Sequence, residues 1–345
     1  MTTLASQTSP AVFSKGVLKI DPSCITKQIT SAIRHQILHT LKRRGAVVGL
    51  SGGIDSSVTA ALCVQALGKE HVLALLMPEA DSDPQSLELA RLLAQQLGIA
   101  TVVEDIAPIL SALGCYRRRD EAIRHLYPAW TSQCKCKLTL ARQGGYNLFY
   151  LVVQNELGQQ QTLRLPLEAY LGIVAATNFK QRTRKQLEYY HADRLNYAVV
   201  GTPNRLEYDQ GFFVKNGDGA ADLKPIAHLY KSQVYQLAEY LGIPEVIRRR
   251  PPTTDTYSLP QTQEEFYFAL PYELMDLCLW AWNHAIPPES VATELHLSPD
   301  QVRHVYQDIQ AKRRTTAYQH RPPLLAQGVP EIHACSAGPT DAPWF

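Results

Sequence analysis

Apolar residues along the chain alternate between two rhythms. Short runs rich in apolar residues fall at 46–50, 71–77 and 197–202, and Thr101-Val102-Val103-Glu104-Asp105 reads as a further strand. Such runs suit strands buried on both faces of a parallel sheet. Between and after them lie segments with apolar residues at helical spacing, at 29–41, 57–67 and 84–97. Asp83-Pro84 opens the last of these and Gly98 closes it. Residues 171–176 read as one more short strand, with a helix over 178–195 after it. Further helices are expected over 230–241, 274–284 and, in one or two pieces, 289–316, where Ser298-Pro299-Asp300-Gln301 marks a start. Strand–helix alternation with short links predicts an α/β fold, a doubly wound parallel sheet followed by C-terminal helices.

Residues 111–170 break that rhythm. A basic helix is expected first, then a turn at 142–145, a strand at 146–153, a turn at 155–158 and an alternating strand at 161–165. Together they predict a β-hairpin insertion. The expected domain is 29–325, preceded by an N-terminal arm (1–28) and followed by a Pro-, Gly- and Ala-rich tail (326–345) without fixed structure. The helices over 288–314 read as an appendage of the domain rather than a DNA-reading pair.

Composition narrows the class. The 345 residues are 45% hydrophobic and 19% charged, and the net charge is +2. That balance gives no broad electrostatic case for nucleic acid or an anionic membrane. The basic triplets at 42–44, 117–119, 248–250 and 312–314 read as solvated helix faces. No apolar stretch reaches the length of a membrane span, and the polar first residues lack a signal-peptide core. A cytoplasmic protein is therefore expected. Seven cysteines, an odd number, argue for reduced thiols. Cys115, Cys134 and Cys136 lack a second closely spaced pair for a zinc site.

The chemistry concentrates at Ser51-Gly52-Gly53-Ile54-Asp55-Ser56, after the first strand and at a helix start. Glycines let backbone N–H groups close on an anion, and the helix N-terminus adds donors and partial positive charge. Asp55 would repel a phosphate unless a divalent cation sits between them. The loop therefore suits a metal–pyrophosphate complex. It lacks the Gly-Lys-Ser/Thr ending of a Walker loop. A second block follows the strand at 197–202. It holds Thr202, Glu207, Lys215, Gly217-Asp218-Gly219, Asp222 and, further on, Lys231. Glu207 could join Asp55 on one Mg²⁺.

The Ser-Gly-Gly-x-Asp-Ser loop resembles that of N-type ATP pyrophosphatases. The resemblance extends to ammonia-dependent NAD synthetases through Asn178-Phe179-Lys180-Gln181-Arg182-Thr183-Arg184, Gly201-Thr202 with Glu207, Gly211-Phe212-Phe213, Gly217 to Asp222, Leu229-Tyr230-Lys231 and Pro252-Thr253-Thr254-Asp255. It covers most of 30–325 apart from the insertion. It implies an adenine nucleotide alpha hydrolase-like fold, usually homodimeric. The implied reaction is adenylation of the nicotinate carboxylate of deamido-NAD by ATP, then attack by ammonia. Gly49, Leu50, Ser51, Gly52, Gly53, Ile54, Asp55, Ser56, Thr202, Lys231 and Thr253 would bind ATP. Asp55 and Glu207 would hold Mg²⁺, and with Lys231 they form the implied catalytic set. Arg182, Lys215, Asp222, His320 and Arg321 would meet deamido-NAD. The chain departs from the family at Pro203-Asn204-Arg205-Leu206, at 261–269 and in the insertion, which leaves a sibling ligase acting on another carboxylate as the alternative. About forty residues precede the first strand, too few for a glutaminase domain, so free ammonia or a separate glutaminase is the expected nitrogen source.

Overall fold

In a computed structural model of the chain the described residues are 13–143, 146–253, 256–262, 267, 268 and 270–329. The expectations that rest on Thr254, Asp255, residues 144 and 145 of the turn at 142–145, residues 263–266 and 269 of the 261–269 departure, and the tail beyond 329 lie outside them. The strands are β1 (Ala46–Gly49), β2 (Val72–Leu76), β3 (Ala100–Val103), β4 (Lys135–Gln143), β5 (Tyr146–Gln154), β6 (Gln160–Arg164) and β7 (Ala198–Val200). The helices are α1 (Pro22–His35), α2 (Ile54–Leu67), α3 (Pro84–Leu97), α4 (Ala107–Ala112), α5 (Cys115–Arg124), α6 (Leu167–Leu195), α7 (Arg205–Gln210), α8 (Lys231–Tyr240), α9 (Glu245–Arg248), α10 (Tyr272–Asn283), α11 (Pro288–Leu295) and α12 (Pro299–His320).

The parallel sheet runs β3-β2-β1-β7. Strands β1, β2 and β7 send buried residues to both faces, as a doubly covered sheet requires, and β3 is the more exposed edge. Val48, Ala74, Leu76 and Val200 pack in one core with Val58 and Leu62 of α2, Leu93 of α3 and Val234 and Leu237 of α8. Val47, Leu73, Leu75 and Val199 pack on the other face with Ala192 of α6. A third core joins α10, α11 and α12 through Met275, Leu279, Val291, Val302 and Ile309.

Three expectations about the elements change. The run 171–176 is not a strand but lies in the second and third turns of the 29-residue α6. Ile173, Ala176, Thr177 and Lys180 are buried at three- and four-residue steps, the helical period. An apolar run of six cannot by itself separate strand from helix. The first helix begins at Pro22 rather than 29, because Asp21 caps it, accepting from the N–H groups of Ser23 and Cys24 at 3.0 and 3.2 Å. The insertion is a three-stranded antiparallel sheet, β4-β5-β6, so a third strand joins the expected hairpin.

The basic triplets are not all solvated. Arg119, Arg250 and Lys312 turn inward, with Arg119 and Lys312 buried and the Arg250 side chain only 13% exposed. In the two helical triplets successive residues point about 100° apart, so one of three faces the protein, whereas Arg250 lies just past α9 and turns inward to Asp83 and Ser86.

Arg119 belongs to a buried charge cluster that ties the insertion to the sheet. Lys180 of α6 is fully buried. Its Nζ donates to Glu79 Oε1 (2.9 Å), Asp81 Oδ2 (2.6 Å) and the Thr256 carbonyl (2.7 Å). Arg119 of α5 meets the same Asp81 oxygen at 2.5 Å, and Tyr116 donates to Glu79 Oε2 at 2.8 Å. Burial alone would raise the pKa of Asp81, but Lys180 and Arg119 hold it below the usual carboxylate value. Lys180→Met removes the cation between two buried carboxylates and is expected to cost about 3–5 kcal/mol. Urea unfolding at neutral pH measures this, and an unshifted midpoint refutes it.

Candidate active site

The chain leaves β1 for β2 and β3, then returns to the opposite side of β1 as β7. The links after β1 and β7 therefore part at the carboxyl end of the sheet and open a crevice, the usual ligand position in open α/β sheets. A cleft of about 880 Å³ lies there, and both links line it.

The link after β1 is the glycine–serine loop. Leu50 N–H donates to the Leu75 carbonyl at 2.8 Å and fixes its start. Gly52 has φ +75°, and a Cβ on it would run into the Ser86 carbonyl of α3. A Cβ on Gly49 would lie 2.7 Å from Glu188 Oε1. Ser51 and Ser56 share a hydroxyl–hydroxyl bond at 3.1 Å, and Ser57 Oγ donates to the Gly53 carbonyl at 2.7 Å. The turn is thus set by its own side chains, and α2 starts at Ile54 with Asp55 in its first turn.

Asp55 meets the link after β7 through one residue, Asn204. The Asn204 side chain donates Nδ2–H to Asp55 Oδ1 at 3.0 Å. Its Oδ1 accepts from Glu207 N–H at 3.1 Å, and its own N–H donates to Glu207 Oε2 at 3.2 Å. This is a capping box at the start of α7. Lys231, the first residue of α8, is 2% exposed and pairs with Asp55 Oδ2. Burial works against its ammonium charge, but Asp55 and Glu207 more than offset that and raise its pKa above the ordinary lysine value. The cleft therefore brings together Asp55, Glu207 and Lys231.

Ile54, Thr202 and Thr253 also line this cleft, as do Arg182 and Lys215. Arg182 Nε donates to the Lys215 carbonyl at 3.3 Å. Lys215 Nζ donates to the carbonyls of Tyr318 (2.8 Å) and Arg321 (3.2 Å). Arg321 and Lys215 border a smaller adjoining cavity of about 290 Å³. Among the described residues, the cleft wall includes neither Asp222 nor His320. Asp222 accepts from Val199 N–H at 2.8 Å and the Tyr189 hydroxyl at 3.2 Å, pinning the loop to β7. His320 stands edge-on to Tyr208 and Phe213, with centroids at 4.7 and 5.1 Å.

Sequence reasoning passed over Asn204, although an Asn three residues before a Glu is a capping-box signal. It also passed over Arg250 and Lys312, which line the cleft, and over Asp276. Asp276 of α10 is fully buried and accepts from Ser232 N–H at 2.7 Å, capping α8 beside Lys231. Nothing in its local sequence marks it, since the pairing spans 44 residues.

The donor set suits Mg²⁺. This ion takes hard oxygen ligands and is commonly held by one or two carboxylates plus substrate phosphates. Asp55 and Glu207, joined through Asn204, provide two such carboxylates on the cleft wall.

A family model described as NAD synthase matches residues 25–126 and 152–323. The chain belongs to the NAD synthase family. The two matched blocks leave out 127–151, which carries β4 and most of β5. The chain is 60% identical over 324 residues to the NH(3)-dependent NAD(+) synthetase of Rhizobium meliloti (strain 1021), covering 93% of this chain and 97% of that one. It is 33% identical over 282 residues to the NH(3)-dependent NAD(+) synthetase of Methanocaldococcus jannaschii, covering 82% and 90%. Among solved structures, the NH3-dependent NAD synthetase from Campylobacter jejuni matches with a TM-score of 0.59 at 25% identity, covering 89% of this chain and all of that chain. The NMN synthetase from Francisella tularensis shares the fold, with a TM-score of 0.61 at 22% identity over 89% of this chain and 99% of that one. Among the described residues, no helix is long and apolar enough to cross a membrane.

Two expectations follow from this geometry. Asn204→Ala removes the cap of α7 and the tie between the two acids. It should cost about 1–2 kcal/mol in urea unfolding and slow turnover at saturating substrate; wild-type values for both would refute the role. Burial pushes the Asp276 carboxyl from 3.8 up to about 7, partly opposed by the Ser232 N–H. Between those values the folded chain holds a proton that the unfolded chain releases, so the stability contributed by this group is fully present below the lower value and is lost as pH rises through the upper one. Asp276→Asn keeps an acceptor for Ser232 but cannot ionise. Unfolding free energies measured across that window should decline less steeply with pH in the variant; equal slopes refute the shift.

Proposed function

We propose that the chain makes NAD from deamido-NAD, ATP and ammonia, with AMP and pyrophosphate as the other products. The observation that carries this reading is Asn204. It joins Asp55 of the glycine–serine loop to Glu207 beyond β7, with Lys231 buried against the same Asp55. In a member of the NAD synthase family this is a site for the triphosphate of ATP.

The chemistry has two steps. A carboxylate oxygen of deamido-NAD attacks the α-phosphorus of ATP and the P–O bond to pyrophosphate breaks. Ammonia then attacks the acyl carbon, AMP leaves with its bonding pair, and the surplus proton is released. The protein's part is positioning and charge stabilisation. N–H groups and hydroxyls of Ser51 to Ser56, at the start of α2, would hold the phosphates. Lys231 would offer its charge to the leaving pyrophosphate. Thr202 and Thr253 would orient the nucleotide, and Arg182 and Lys215 the dinucleotide. Mg²⁺ held by Asp55 and Glu207 would neutralise phosphate charge. For Asp222 and His320 the contacts described above favour a supporting role, Asp222 fixing the loop that carries Lys215 and His320 packing behind it. A homodimer, a cytosolic location and ammonia either free or from a separate glutaminase complete the reading.

The test is product analysis. Wild-type protein with ATP, Mg²⁺, deamido-NAD and ammonium should release AMP and pyrophosphate in equal amounts with NAD; ADP and orthophosphate would overturn the reading. A panel of other carboxylic acids separates this enzyme from a sibling ligase. Asp55→Ala and Glu207→Gln should each lower kcat/KM by about a hundredfold or more, and an unimpaired folded variant would remove that residue from the site.

A further inference from the structure

The inserted sheet has an edge, and that edge is occupied. β4 pairs with β5 on one side. On its other side Cys136 N–H donates to Ser258 Oγ at 2.9 Å, and Leu259 N–H donates to the Cys136 carbonyl at 3.1 Å. Two residues along the strand, the Leu138 carbonyl accepts from Gln261 Nε2. Lys137 Nζ reaches the Pro260 carbonyl at 3.3 Å. Cys136 and Leu138 point these groups the same way because they are two apart in a strand.

Side chains seal the contact. Tyr257 is 6% exposed and packs into the core of the insertion with Ile123, Trp130, Cys136 and Leu138. Leu259 and Gln261 are buried as well, and Lys180 holds the Thr256 carbonyl. Thr253 and Thr262 bridge in antiparallel fashion, so the segment leaves the cleft and returns beside its own start. Thr253, Thr256 and Tyr257 all line the cleft. One short segment therefore has two faces, one on the cleft and one on β4.

We propose that the inserted sheet is the platform that holds the Thr253 segment against the cleft, with Tyr257 as its positioning residue. This gives the insertion a role in nucleotide affinity. It rests on reading the cleft as the ATP site. The strand that serves as platform falls in 127–151, outside the blocks matched by the family model, so this anchorage is an addition to the shared fold. An unpaired strand edge is otherwise a liability. Here it fixes a segment before ligand arrives, which reduces the ordering cost at binding.

The test compares Tyr257→Ala with Tyr257→Phe in the full chain. Tyr257→Ala should raise the KM for ATP about tenfold, far more than it lowers kcat, and speed amide hydrogen exchange at 256–262. Tyr257→Phe should recover most of both losses, because ring burial does the anchoring. A folded Tyr257→Ala with wild-type KM and wild-type exchange overturns the proposal. If that variant does not fold, Ser258→Ala decides by the same readouts: it removes the partner of Cys136 N–H, so faster exchange at 256–262 supports the platform and unchanged exchange overturns it. The exchange arm needs no substrate. Failure of the wild type to form NAD would sink the proposed function and leave the platform to be judged on exchange alone.

Discussion

A lysine ammonium almost without water decides how this cleft is built. Lys231 is the first residue of α8, where the helix dipole disfavours positive charge. Its burial adds a desolvation cost. Both penalties are met locally. Asp55 supplies the counter-charge from the first turn of α2, where a carboxylate is favoured, and Asp276 caps α8 from behind. The pairing requires α2 and α8 to start at the same place. They do so because Val58 and Leu62 share a core with Val234 and Leu237. A cation placed against the local rules and then supported by the Asp55 carboxylate and a buried helix cap points to function rather than stability.

Topology turns that contact into a site. Adjacent parallel strands visited out of order send their following loops apart. In this chain Asn204 spans the gap, with its side chain on Asp55 and its backbone on Glu207. The capping box that starts α7 and the alignment of the two acids are therefore the same set of hydrogen bonds. Local helix chemistry and site geometry cannot be separated here.

The parts legible in the sequence are those with local causes. The strands at 46–50, 71–77 and 197–202 stand out because both faces are buried, and the edge strand near 101–105, largely exposed, is marked instead by its β-branched residues and the Gly98 stop before it. The loop at 51–56 stands out because paired glycines, then an acid at a helix start, suit a phosphate bound with its cation. Residues 171–176 misled because six apolar residues carry no period long enough to separate two turns of α6 from a strand. Arg119, Arg250 and Lys312 misled because a basic triplet shows charge but not direction. Asn204 had a signal three residues long. Asp276 had none, since its partner lies on another helix. Asp222 and His320 came from resemblance alone, and their contacts here are with Val199, Tyr189, Tyr208 and Phe213.

The insertion shows how an added sheet can act on a site it only borders. Fixing backbone costs about 1–2 kcal/mol per residue, so a segment such as 256–262 stays in place only if buried contacts offset that loss. Tyr257, Leu259 and Gln261 provide the burial, and β4 provides backbone partners that solvent would otherwise supply. Lys180 adds a charged bond whose other ends lie on Glu79 and Asp81, just beyond β2. Glu79 itself lines the cleft. The same buried ammonium thus touches the loop after β2 and the segment after Thr253, while Arg119 brings α5 to Asp81. Movement of the inserted sheet relative to the main sheet would have to break that cluster. The wall of the cleft nearest the insertion is therefore as rigid as the salt-bridge cluster behind it.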